Sequence, residues 1–215
     1  MRFRTAETTR DRRPAGRLVR WLATMLGVFL VAVVAVPQAQ ASSGFDSVMA
    51  NSWTGRCADL PNYSSVPVNT PVTQFDCNLS ITRDNQVWHF IPAGTYQGLT
   101  LYEIQNVKSG LCLDLPNYGS NPPGTHVSVY TCAPNQTIDN QQWFLVDQGL
   151  NNSDGYYSYE VVNLASNLCL DVANWASDFS DWDNGLPLTI YNCYNPAWAN
   201  GGFDDHLWEF PGYSA

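Results

Sequence analysis

The stretch Tyr102-Glu-Ile-Gln-Asn-Val-Lys-Ser-Gly-Leu-Cys112-Leu-Asp114-Leu-Pro-Asn-Tyr118 returns later as Tyr159-Glu-Val-Val-Asn-Leu-Ala-Ser-Asn-Leu-Cys169-Leu-Asp171-Val-Ala-Asn-Trp175. A shorter copy precedes both: Asn51-Ser-Trp-Thr-Gly-Arg-Cys57-Ala-Asp59-Leu-Pro-Asn-Tyr63. Each copy has a second cysteine, at Cys77, Cys132 and Cys193. Each then closes on a tryptophan, in Gln86-Val-Trp88, Gln141-Gln-Trp143 and His206-Leu-Trp208. Self-similarity at a fixed period marks units that stack around one core, because a unit this short cannot bury its own apolar face. The copies divide the chain at approximately 45–97, 98–152 and 153–213. The third is irregular, with insertions at 176–184 and 194–203.

The local pattern is β. Val127-Ser-Val-Tyr-Thr, Leu188-Thr-Ile-Tyr-Asn and Tyr102-Glu-Ile-Gln-Asn-Val alternate apolar and polar residues and are rich in β-branched and aromatic side chains. Turn clusters such as Gly119-Ser-Asn-Pro-Pro-Gly124 separate them. The six cysteines allow fifteen pairings in principle. Threefold repetition selects pairing within each unit, Cys57–Cys77, Cys112–Cys132 and Cys169–Cys193, since any other scheme breaks the symmetry. Trp88, Trp143 and Trp208 recur in one phase, as core residues do.

Outward from the repeats, residues 1–20 hold seven arginines and two acids, and an uncharged apolar run follows from Trp21 to Val36. Ala39-Gln40-Ala41 ends it. A basic start, an apolar middle and a small-x-small end predict a secretory signal over 1–41, cleaved after Ala41. The rival reading is an uncleaved anchor helix, for which the apolar run is short. The mature domain is then 42–215, secreted and extracellular, the setting in which disulfides persist.

Removal of 1–41 takes seven of the ten basic residues and two of the nineteen acids, leaving three against seventeen and a formal charge of −14. That balance excludes backbone-driven nucleic-acid binding and attraction to anionic lipid. With 45% apolar and 13% charged residues, the chain can build a core. No Gly-x-Ser-x-Gly elbow, His-Glu-x-x-His or phosphate-cradling glycine loop is present. The three histidines show no metal-ligand spacing, and the acidic run Asp178–Asp183 does not match the EF-hand phase. No cofactor, metal or catalytic residue is expected, and the protein is expected to be a monomer.

Three in-phase sets of Cys-x-Asp, aromatic-x-Cys and Gln-x-Trp resemble the ricin B-type lectins of the secreted bacterial type, over nearly the whole of 42–215. The resemblance implies an all-β fold. It is a β-trefoil of twelve strands with three pseudo-threefold repeats, each holding its own disulfide and up to one shallow sugar site. In the family a site uses the Asp of Cys-x-Asp, the aromatic two before the second cysteine, and the Asn-Gln that opens the Gln-x-Trp segment. Carried over, the second unit supplies Asp114, Tyr130, Asn140 and Gln141, and the first supplies Asp59, Phe75, Asn85 and Gln86. The third supplies Asp171 and Tyr191, then departs with Asp205 and His206 where Asn and Gln are expected.

These residue types suit a sugar. An aromatic ring covers its C–H face, an ionised Asp accepts charge-assisted bonds from hydroxyls, and an Asn amide both donates and accepts. The function implied is lectin activity toward neutral glycans or polysaccharides, weak per site and multivalent. Two rivals stand beside it. One is an interaction protein on the same fold, such as an inhibitor or toxin accessory subunit; the other, less favoured, is a small glycoside hydrolase. Tyr63, Tyr118 and Trp175 follow the aspartates by four, either bordering the sites or packing locally. Trp182 and Trp198 lie in the insertions of the third unit, where they either bind glycan or cover core.

The leader has a direct test. A secreting host should release a product whose intact mass begins at Ser42; release of a chain that retains Met1–Ala41 would refute the cleavage.

Overall fold

The computed structural model describes residues 44–78, 85–133, 140–150, 155–174, 182–193 and 205–211. The expected signal at 1–41, Trp175, Trp198 and most of the two insertions lie outside the described residues. The chain divides after Ala39, and every described residue belongs to the part that follows.

The first unit contributes β1 (Phe45–Val48), β2 (Ala50–Asn51), β3 (Arg56–Asp59), β4 (Thr70–Pro71), β5 (Thr73–Asp76) and β6 (Val87–Tyr96). The second contributes β7 (Leu99–Asn106), β8 (Cys112–Asp114), β9 (Thr125–His126), β10 (Ser128–Tyr130) and β11 (Gln142–Leu150). The third contributes β12 (Tyr157–Asn163), β13 (Leu168–Val172), β14 (Leu188–Tyr191) and β15 (Leu207–Glu209). Three of these strands are cut in two by one buried residue each: Met49 between β1 and β2, Val72 between β4 and β5, and Val127 between β9 and β10. With the halves joined, each unit has four strands and the set has the twelve of a trefoil.

Six of the twelve close a barrel. β1 pairs with β6, β6 with β7, β7 with β11, β11 with β12, β12 with β15, and β15 returns to β2. Closure leaves this tier without an edge strand. The other six form three hairpins, β3–β5, β8–β10 and β13–β14. These join edge to edge through β4–β10, β9–β14 and a bridge from Thr73 to Pro187. The result is a triangular cap with one hairpin per unit. β6 and β7 meet at Gln97-Gly98, both at positive φ (50° and 86°), the backbone that a two-residue hairpin turn requires.

Period-2 alternation fills the interior. Ala58, Leu113 and Leu170 point into the core from the hairpin strands, between the cysteine and aspartate that lie on the other face. Val129, Ile190, Val72, Val127 and Leu188 meet them. Trp88, Trp143 and Trp208 are fully buried, as their phase predicts. Their indole N–H groups donate to Ala58 O, Leu113 O and Leu170 O, at 3.1, 3.3 and 3.0 Å. The cysteines pair within units, Cys57–Cys77, Cys112–Cys132 and Cys169–Cys193, with Cα–Cα distances of 4.9, 5.0 and 4.9 Å.

A second threefold set links the units. Asn51, Asn106 and Asn163 are fully buried. Their side-chain amides donate to Asp205 O, Asn85 O and Asn140 O, each at 2.6 Å. Each bond therefore reaches from one unit to the main chain of the unit before it, and the three close a cycle. The Oδ1 atoms accept the N–H groups of Thr54, Ser109 and Ser166, each at 3.0 Å, which folds the tight turn after each strand. Gly55, Gly110 and Asn167 end these turns at positive φ, where Gly and Asn are tolerated.

Asn106→Ala removes a buried donor and acceptor together. It should lower unfolding free energy by about 2–3 kcal/mol in a denaturant melt; a change within about 0.5 kcal/mol would show that the cycle carries no stability.

Candidate functional site

The three aspartates sit at matching places in the cap, on β3, β8 and β13, nearly buried but with an edge open to solvent. Register puts Thr73, Ser128 and Thr189 opposite Asp59, Asp114 and Asp171. Phe75, Tyr130 and Tyr191 lie opposite Cys57, Cys112 and Cys169. Directly opposed residues share a face, so each aromatic stands diagonally beside its aspartate. All three rings are exposed, which an unassigned apolar side chain on a hairpin strand would not need to be.

In the second unit the expected set converges. Gln141 donates from Nε2 to Asp114 Oδ1 at 3.0 Å and to Thr131 O at 3.1 Å. Its Oε1 accepts the Ala133 N–H at 2.9 Å. The amide thus orients the carboxylate and ties down the segment after Cys132. Asn140 is buried, and its Nδ2 donates to Asn117 O at 2.9 Å and Gly119 O at 3.4 Å. That fixes a turn in which Asn117 (φ 65°) and Gly119 (φ 82°) are left-handed. The turn holds Tyr118 outward, 73% exposed.

The first unit repeats the turn and the tie to the segment after its second cysteine. Asn85 donates from Nδ2 to Leu60 O and Asn62 O, and Asn62 is left-handed at φ 69°. Tyr63 projects from that turn, 72% exposed. Gln86 donates to Asp76 O at 3.0 Å and accepts the Asn78 N–H at 2.7 Å.

The third unit keeps the positions and changes the partners. Thr189 Oγ1 donates to Asp171 Oδ2 at 2.7 Å. His206 stands where Gln86 and Gln141 stand, with Nε2 3.3 Å from Asp171 Oδ1. The Tyr191 and His206 rings lie 6.4 Å apart, centroid to centroid.

A family profile described as ricin-type beta-trefoil lectin domain-like matches residues 84–191, half of the chain. The chain belongs to the ricin-type β-trefoil lectin family. Solved structures agree on the fold. A designed 3-fold symmetric protein, ThreeFoil, is 24% identical, covering 77% of this chain and 96% of its own at a TM-score of 0.54. The Rhizoctonia solani agglutinin is 19% identical, covering 78% and 94% at 0.51. The Macrolepiota procera ricin B-like lectin, solved in complex with lactose, is 15% identical, covering 80% and 97% at 0.51. No curated protein matches the chain in sequence.

Within this ricin-type frame the sequence motifs come together from distant strands, four residues per unit in the first and second. Asp and aromatic form the open wall; Asn holds the turn in both units, and in the second Gln141 also holds the carboxylate. Two features escape the motif reading. One is the hydroxyl row Thr73, Ser128 and Thr189, signalled only as a hydroxyl residue two before each aromatic. The other is the outward tyrosine. Tyr63 and Tyr118 stand exposed in the turns that follow the aspartates. Trp182 instead docks on the first unit, edge-to-face with Trp53 at 5.7 Å, and its carbonyl accepts Arg56 Nε at 3.2 Å.

Asn140 and Tyr118 should behave oppositely on substitution. Asn140→Ala should cost about 1–3 kcal/mol and speed amide exchange across 116–119. Tyr118→Ala should stay within about 0.5 kcal/mol of the parent. Equal stability of the two variants would remove the floor role of Asn140.

Proposed function

We propose that this protein is a secreted, non-catalytic, monomeric lectin that binds neutral glycans or polysaccharides, weakly at each unit and usefully through several units on one polymer. The observation that supports it most is the complete set in the second unit. There a nearly buried carboxylate is oriented by Gln141 Nε2 at 3.0 Å, with the exposed ring of Tyr130 diagonal to it and that of Tyr118 exposed in the turn four residues on. A fixed acceptor beside aromatic faces matches a sugar ring, with hydroxyls on its rim and C–H groups on its faces. The first unit presents the same wall with Phe75 and Tyr63.

The mechanism is recognition without chemistry. The aspartate accepts from vicinal hydroxyls, and the hydroxyl of Ser128 or Thr73 opposite it adds a second polar contact. The aromatic ring excludes water from one sugar face. Each site is shallow, so single-site affinity is weak. Two sites held on one rigid cap raise avidity by roughly 10²–10⁴ when a polymer spans both. The strong negative charge sets neutral glycans ahead of polyuronates, which this surface would repel.

Pull-down on insoluble polysaccharides and a glycan array would test the reading. Asp59→Ala and Asp114→Ala should each weaken retention, and the double variant should abolish it, with melting midpoints preserved. Undiminished retention in the double variant would overturn the assignment, and so would absence of binding to every glycan by the parent.

A further inference from the structure

Where the first two units carry Asn85-Gln86 and Asn140-Gln141, the third carries Asp205-His206. Two neutral amides are replaced by a carboxylate and an imidazole, beside the existing Asp171. The side chain of Asp205 is 1% exposed, and those of Asp171 and His206 are 10% and 12% exposed. One donor atom from each of the three lies within 4.8 Å of the other two. The motif positions assign the three to one site, and the structure sets their contacts, with Asp171 on β13 and the other two in the turn before β15.

Charge is the first argument. Two carboxylates flank one imidazole, so the group stays net negative even when the imidazole carries its second proton. Enclosed negative charge is destabilising unless a cation compensates it. In the sister units the same backbone accommodates a neutral pair, so the fold does not demand this charge.

Geometry is the second. Two donors bound about 2.1 Å from one ion at the tetrahedral angle lie about 3.4 Å apart. His206 Nε2 and Asp171 Oδ1 are 3.3 Å apart. Thr189 Oγ1 holds the other carboxylate oxygen, Oδ2, at 2.7 Å, which aims Oδ1 at the imidazole. Asp205 Oδ1 lies 3.4 Å from His206 Nδ1, on the far side of the ring. A carboxylate there is the usual outer partner of a ligating histidine: it fixes the ring and raises the basicity of the ligating nitrogen.

We propose that Asp171 and His206 bind one divalent transition-metal ion of the Zn²⁺ class, with Asp205 orienting the imidazole and supplying the second negative charge. The mixed nitrogen and oxygen donors suit Zn²⁺. Ca²⁺, a hard ion that takes oxygen donors, does not suit the imidazole nitrogen. The remaining coordination positions are left to water.

The test is isothermal titration of the purified chain with ZnCl2 after chelator treatment, with CaCl2 in parallel. The expected result is one equivalent of Zn²⁺ bound and no Ca²⁺ heat. D205N/H206Q installs the pair of the first two units and should fold with the parent's metal-free melting midpoint. It should bind Zn²⁺ at least tenfold more weakly, and Asp171→Asn should show the same loss. No uptake by the parent would overturn the site. So would unchanged affinity in both variants, which would place the ion elsewhere. Uptake is read without any glycan, so failure here leaves the lectin reading of the first and second units standing, and failure there leaves this site standing.

Discussion

The bond from each buried indole N–H to the carbonyl between cysteine and aspartate is the constraint on which the sites depend. Trp88, Trp143 and Trp208 supply much of the core, but an indole enclosed in apolar surroundings needs an acceptor for its N–H. Ala58 O, Leu113 O and Leu170 O provide it. That bond fixes the middle residue of Cys-x-Asp with its side chain inward. Strand alternation then sends the cysteine and the aspartate to the opposite face. The disulfide anchors one neighbour, and the other is left as a rigid carboxylate at the surface. Core packing and site geometry are thus set by one contact, made three times.

The asparagine cycle joins the units through main-chain acceptors. Asn51, Asn106 and Asn163 grip the backbone of Asp205, Asn85 and Asn140, whatever side chains those residues bear. This explains how the third unit exchanges Asn-Gln for Asp-His and keeps its skeleton. The residues that face the aspartate are free to diverge because the link to the next unit does not use their side chains. Divergence of chemistry on a preserved frame follows: the second unit presents an amide to its carboxylate, and the third presents an imidazole backed by a second carboxylate.

Much of this is legible in the amino-acid sequence. The three Gln-x-Trp or His-x-Trp closures, the cysteine pairs and the Cys-x-Asp anchors define the unit, its disulfide and its aspartate. Asp114, Tyr130, Asn140 and Gln141 are identifiable because each sits at a set distance from a cysteine or tryptophan. Tyr118 is visible but ambiguous, since an aromatic near a turn either packs or projects. The left-handed backbone at Asn117 and Gly119, pinned by Asn140, decides that it projects. Ser128 is signalled only as a hydroxyl residue two before Tyr130, and its relevance comes from standing opposite Asp114 across two strands.

Sequence alone determined the all-β threefold architecture and the disulfide pairing. Those follow from periodic patterns, which local strand propensity and the shared need to bury one face translate directly into structure. The tertiary structure alone decided which side chains confront one another across strands, which aromatics face solvent, and which atoms of Asp171, Asp205 and His206 come into contact. Such contacts depend on strand register and on closure of the barrel and cap, and these bring together residues whose separation along the chain carries no trace of their distance in space.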